Sequence, residues 1–208
     1  MVSTHRTKTR TPKHLIVPWN SADVIQAIAL LACGVIVGIV ALSIFRHKDD
    51  NTTYVVRTVT MCILFILPIL GIWIIAIRRH DAPWSSLGIS KSLTVETLIK
   101  SFCCLVASLV IVGTYVTIVD LFSVKFLLPE AINKTDLGTG FFQIITIALV
   151  CIIGPVTEEV FFRGFVLTGF IHHFGIFRSV ALSSAVFAAC HIDPGVFVPF
   201  FLTGMLLS

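Results

Sequence analysis

The sequence predicts an all-α fold, a polytopic bundle of transmembrane helices with about six spans visible. Of its 208 residues, 56% are hydrophobic and only 12% charged, whereas about a quarter of the residues in a soluble domain are charged. The mean hydropathy is +0.99. The apolar residues also gather into runs near the ~20 residues that a helix needs to cross a bilayer, separated by short polar connections.

Taken in order, Met1 to Ser21 reads as a basic, aperiodic cytosolic tail with Arg6, Lys8, Arg10 and Lys13, and 22–208 as a single transmembrane helical domain. A basic start before an apolar run has the form of a signal peptide. The run from Ala22 to Phe45 exceeds the ~7–15-residue core of a cleaved signal, so it is kept as the first span. Arg46 to Thr53 is a polar connection with Asp49-Asp50-Asn51 as turn chemistry. The second span, Tyr54 to Ile77, contains Pro68, which neighbouring helices can accommodate in lipid and which predicts a kink. Arg78 to Lys100 is the longest polar stretch. Within it Trp84 sits as an interfacial anchor, and Ser92 or Thr94 followed by Glu96 starts a third span, Leu98 to Phe122. Asp120 lies near the far end of that span, within reach of headgroup water.

Ser123 to Gly140 reads as extramembrane, and the fourth apolar segment begins at Phe141. Ile171 to Arg178 is a basic turn with His172 and His173. The fifth segment, Ser179 to His191, is rich in small residues that permit close helix contact, and Asp193-Pro194-Gly195 ends it. The sixth run, Val196 to Ser208, is too short to cross a bilayer at ~1.5 Å per residue. The domain is therefore expected to be C-terminally truncated.

Lysines and arginines set the orientation. The tail, Arg78 to Lys100 and Ile171 to Arg178 carry more of them than the opposite connections, which predicts a cytosolic N-terminus, with the plasma membrane as the expected location. The net charge of +4 is scattered through loops and forms no basic stripe, so no nucleic-acid partner is expected. Cys33, Cys62, Cys103, Cys104, Cys151 and Cys190 lie in apolar runs without a C-x-x-C pair and read as small buried hydrophobes, neither disulfides nor zinc ligands.

The anomaly is Gly154-Pro155-Val156-Thr157-Glu158-Glu159-Val160-Phe161-Phe162-Arg163-Gly164. Charge at membrane depth costs on the order of 2.5–3.5 kcal/mol per group and usually marks function. Glu159 and Arg163, four apart, share a helical face, while Glu158 projects ~100° away. One carboxylate can then be paired and structural, and the other can serve as proton acceptor. Against this, Pro155 behind Gly154 could open a fresh helical turn whose dipole favours both ionised carboxylates; the sequence leaves the balance open. The second constellation is Phe187-Ala188-Ala189-Cys190-His191. Alone, such a histidine reads as an interfacial or hydrogen-bonded residue. It gains weight because adjacent antiparallel helices can bring it to the glutamates. Glutamate and histidine around one water form a hydrolytic arrangement, with glutamate as general base or with both as metal ligands.

Glu158-Glu159-x-x-x-Arg163 followed by Phe187-x-x-x-His191 resembles the first two motifs of the CPBP family of intramembrane proteases, which includes CAAX prenyl endopeptidases and bacteriocin-processing and immunity proteins. Leu87-Gly88-Ile89 is a weaker echo. The resemblance covers about the last third of the chain. It implies an endopeptidase acting on a peptide or protein substrate, prenylated or not, in or near the bilayer. Glu158 would activate the water, Glu159 and Arg163 would support it, and His191 would assist. Many family members are labelled metalloproteases, so Glu158, Glu159 and His191 are also candidate ligands for a divalent metal such as zinc. Zinc would take three protein ligands, and no H-E-x-x-H pattern is present. His172 and His173 could be recruited, although an adjacent pair in a loop reads as solvated.

The family's third motif, a histidine followed by asparagine or aspartate in a later helix, has no counterpart before Ser208, so the site and its activity are expected to be incomplete in this chain. Two other classes remain: a non-catalytic immunity or scaffold protein of the same fold, and an ion-coupled transporter. The transporter fits intramembrane carboxylates, but no inverted repeat is visible and the broken-helix signal occurs once, at Gly154-Pro155.

Overall fold

The computed structural model describes residues 17–45, 50–89, 94–129 and 137–208. Every regular element among the described residues is helical. Four helices are long and apolar enough to cross a membrane: α1 (Ser21–Phe45), α2 (Asn51–Arg79), α3 (Val95–Leu121) and α4 (Phe141–Phe174). Two shorter apolar helices follow, α5 (Ile176–Ala189) and α6 (Pro194–Leu206). The six expected apolar segments are thus four full-length helices and two of 14 and 13 residues.

Polar residues at the ends of the apolar runs start these helices. Asn20 caps α1, its side-chain oxygen accepting from the Ala22 and Asp23 amides at 2.8 and 3.3 Å. Thr94 caps α3 by accepting from the Thr97 amide at 3.2 Å; Ser92, the other candidate, lies outside the described residues. Asp193 accepts from the Gly195 amide at 2.8 Å, with Pro194 in the first helical position of α6, where a missing N–H costs nothing. Asp193-Pro194-Gly195 therefore begins a helix, and the turn that ends α5 falls before it at Cys190 and His191. α2 passes through Pro68 and finishes in a π-helical stretch, Trp73–Arg79.

The restart that Gly154-Pro155 could have opened does not occur: α4 continues through it for 34 residues in all. Proline supplies no N–H to the ladder, and local π adjustments are one way a membrane helix re-satisfies its carbonyls. α4 has two such stretches, Leu149–Ile153 just before Gly154 and Glu159–Leu167 after it. Gly154 also admits a neighbour, since a Cβ there would lie 3.0 Å from the Phe65 ring. The glutamates therefore lie inside α4, not at its N-terminus. His172 and His173 are likewise in the last helical turn of α4, not in a loop.

Neighbouring helices pack as an open arc: α1 on α2, both on α4, α4 on α5, α5 on α6, and α6 on α3. The α1–α2 contact uses Gly34 and Gly38, a small-xxx-small pair that lets helices approach; Leu67 fills the space over Gly34, and Thr60 Cγ2 would be 2.8 Å from a Cβ on Gly38. One end of the bundle is tied by Asp23, only 3% exposed. Its carboxylate accepts from Arg79 Nη1 at 3.0 Å and from the Asn20 amide at 3.0 Å, and it meets His80 Nε2 at 2.9 Å. His172 and His173 border Asn20 and Ser21 at that same end. Residues from each of the three segments grouped on one side by their basic residues therefore lie together: Asn20 and Ser21, Arg79 and His80, and His172 and His173.

The tail gives way to packed chain earlier than expected, since Val17 and Trp19 are 6% and 1% exposed; the rest of the tail lies outside the described residues. All six cysteines are free, as expected, but none is fully buried. Cys33, Cys103 and Cys151 are exposed on helix surfaces, and Cys62, Cys104 and Cys190 are half-buried. The helices present these thiols outward, where lipid can replace protein as the apolar neighbour.

Between α2 and α3, the turn Trp84–Leu87 rests on α4 at Gly164. Leu87 is buried, and its carbonyl oxygen lies 2.6 Å from where a Gly164 Cβ would be. Gly164→Ala is expected to lower stability by about 1–3 kcal/mol through overpacking. Thermal denaturation in detergent measures this, and an unchanged midpoint would show that the turn is not seated there.

Candidate active site

α4 and α5 run antiparallel, joined at Gly175, and bring the two sequence constellations together. Glu158 Oε1 is 3.9 Å from His191 Nε2, and the two side chains are 32% and 29% exposed, so a small molecule can reach both. The imidazole is held from its other side: His191 Nδ1 is 2.9 Å from the Phe187 carbonyl oxygen. A carbonyl only accepts, so Nδ1 carries the hydrogen and Nε2 faces Glu158. The rings of Phe187 and Phe200 lie nearly perpendicular to the imidazole, with centroids 5.0 and 4.4 Å away.

Glu159 looks elsewhere, as ~100° per residue requires. Its side chain is 54% exposed and borders a cleft of about 550 Å³ between α4 and residues 85–89, which Ser85, Ser86, Gly88, Arg163 and Thr168 also line. Arg163 Nε is 3.4 Å from Glu159 Oε2, but only 11% of the arginine side chain is exposed. Its Nε and Nη2 are buried without a hydrogen-bond partner among the described residues. The guanidinium carbon instead lies 4.8 Å from the Phe187 ring centroid, so the cation is met by a carboxylate and by an aromatic face. Phe187 thus touches Arg163 with its ring and orients His191 with its carbonyl.

The stretch of α4 that carries Arg163 is π-helical, a geometry frequent at functional sites. Two of its carbonyls accept from other helices or segments: Phe162 O from Ser183 Oγ at 2.9 Å, and Phe165 O from Trp19 Nε1 at 3.0 Å. Phe161 and Phe165 are fully buried, and Trp19 stacks on Phe165 with centroids 5.4 Å apart. A separate apolar groove of about 520 Å³ lies between α2 and α4, lined by Phe65, Ile69, Trp73, Trp84, Ile153 and Thr157.

Sequence reasoning missed Trp19 and Phe200 as neighbours of this region, while Ser183 was among the small residues expected to permit close helix contact. A tryptophan before an apolar run carries the signal of an interfacial anchor, and a phenylalanine within one carries none. Leu87-Gly88-Ile89, a faint echo in the sequence, does border the cleft.

The donor set falls short of a metal centre. No three His, Cys, Asp or Glu side chains converge among the described residues, whereas catalytic zinc takes three protein ligands. Glu158 and His191 approach each other, while Glu159 is drawn towards Arg163. His172 and His173 are fourteen residues further along α4, roughly 20 Å at 1.5 Å per residue.

Residues 140–208 match the family model described as type II CAAX prenyl endopeptidase Rce1-like. This third of the chain holds both motifs, in agreement with the resemblance they carry. No curated protein and no solved structure matches the chain.

The turn that presents His191 is strained. Ile192 has φ of 60°, an outlier for a β-branched residue, and its side chain is exposed. Ile192→Gly is expected to stabilise the fold by ~1 kcal/mol, the low end of such strain. A thermal midpoint below wild type would show that the isoleucine side chain contributes more than the strain costs.

Proposed function

We propose that the chain carries the glutamate–histidine part of an intramembrane endopeptidase site of the CAAX type, with Glu158 as general base. The observation that carries this is the Glu158–His191 pair, 3.9 Å apart with the histidine tautomer fixed by Phe187 O. The separation is long for a direct hydrogen bond. A water lying to one side can donate one hydrogen to Glu158 Oε1 and the other to the Nε2 lone pair.

In this reading the water oxygen attacks the scissile carbonyl carbon as Glu158 takes its proton. The tetrahedral adduct collapses with cleavage of the C–N bond, and the leaving amine takes the proton back from Glu158. His191 orients the water, while Glu159 and Arg163 hold the helix face. The substrate is a lipidated peptide or protein: the apolar groove reaching Thr157, next to Glu158 in the chain, suits an aliphatic or isoprenoid group, and the polar cleft beside Glu159 suits peptide. This reading has a cytosolic N-terminus, which the gathering of basic segments at one end of the bundle supports.

In the protein as encoded, in membranes and at wild-type abundance, Glu158→Gln is expected to reduce cleavage of a prenylated peptide by about 10²–10⁴-fold, the contribution of a general base, and His191→Ala is expected to reduce it as well. Unprenylated peptides run in parallel test the substrate class. Cleavage at wild-type rates by both variants would favour a non-catalytic role for the motif.

A further inference from the structure

The segment before α1 reaches across the bundle to the motif helix. Trp19 is 1% exposed; it donates from Nε1 to Phe165 O at 3.0 Å and stacks on the Phe165 ring at an interplanar angle of 25°. α4 leaves room for the indole at Gly169, where a Cβ would lie 2.8 Å from Trp19 Cδ1. The tryptophan is itself fixed, because Asn20 and Asp23 cap each other's backbone and Asp23 binds Arg79.

The bond falls near the end of the π stretch Glu159–Leu167, and α geometry resumes at Thr168. The Phe165 carbonyl also accepts from Thr168 Oγ1 at 3.1 Å. The indole thus adds to a carbonyl that also takes the Thr168 backbone N–H, at the place where one bonding pattern gives way to the other. If the stretch reverted to α, residues on its N-terminal side would turn relative to those on its C-terminal side. One residue of register is ~100°, enough to carry Glu158 away from His191 and Arg163 off the Phe187 ring.

We infer that Trp19 is a positioning residue: its indole N–H holds the π register of α4 and, through it, the placement of Glu158 and Arg163 against α5. The catalytic consequence rests on the proposed function; the geometric one does not.

The test uses the whole chain with its native cysteines replaced. One thiol pair, Glu158→Cys with His191→Cys, is joined by a short bis-methanethiosulfonate. A control pair, Ser184→Cys with Gly204→Cys, links α5 to α6, where the Gly204 Cβ position is 3.0 Å from Ser184 Cβ. Trp19→Phe keeps an aromatic ring and removes only the N–H. It is expected to cut the 158–191 cross-link at least threefold and leave the 184–204 cross-link unchanged. In the cleavage assay with Glu158 and His191 intact, the same variant is expected to lower kcat about tenfold at unchanged KM. An undiminished 158–191 cross-link overturns the inference. Loss of both cross-links also overturns it, because it shows a general fold requirement. Absence of cleavage in the wild type counts against the proposed function alone, and the cross-link ratio still decides the role of Trp19.

Discussion

Charge held inside an apolar helix is the constraint on which the rest of this structure depends. Glu158, Glu159 and Arg163 fall within two turns of α4, where each would cost several kilocalories against lipid alone. Arg163 is met by the Glu159 carboxylate and the Phe187 ring, and Glu158 by His191. The aromatic residues that follow them along α4 fill the core against Trp19 and α5. Those partners fix where α5 must lie.

The helix consequently shows four sides with different surroundings. Glu158 faces His191 on the α5 side, Glu159 faces a polar cleft roofed by the turn after α2, and the Phe161–Phe165 side is buried beneath the N-terminal segment. An apolar groove lies on the remaining side, towards α2. One helix therefore separates a polar cleft from an apolar groove.

Much of this was legible in the residues. Apolar run length gave the crossing helices, because the bilayer sets a minimum span, and the four-residue spacing of Glu159 and Arg163 gave their shared face. The proximity of Glu158 and His191 followed from a short connection between two helices. The continuity of α4 through Gly154-Pro155 was not legible: proline signals a break in water, and the compensation here is a π stretch together with the Phe65 ring against Gly154. Nor was the burial of Trp19. Its partner is a backbone carbonyl, which every residue has, and contacts of that kind leave no trace in side-chain pattern. Asp23 was overlooked for a related reason: a carboxylate in a first helical turn already has a local explanation in the helix dipole.

The Trp19–Phe165 bond joins residues 146 positions apart, and this separation has a consequence for biosynthesis. At about 5–20 residues per second, the indole leaves the ribosome roughly 7–30 s before the carbonyl that it will bind. During that interval α1 and α2 can insert and pair through Gly34 and Gly38, while the tryptophan waits at the bilayer surface, a zone that indoles favour. The contact thus forms only after α4 has emerged, later than the pairing of α1 with α2 can begin, and nascent chains halted before α4 would hold the first two helices without their buried tryptophan.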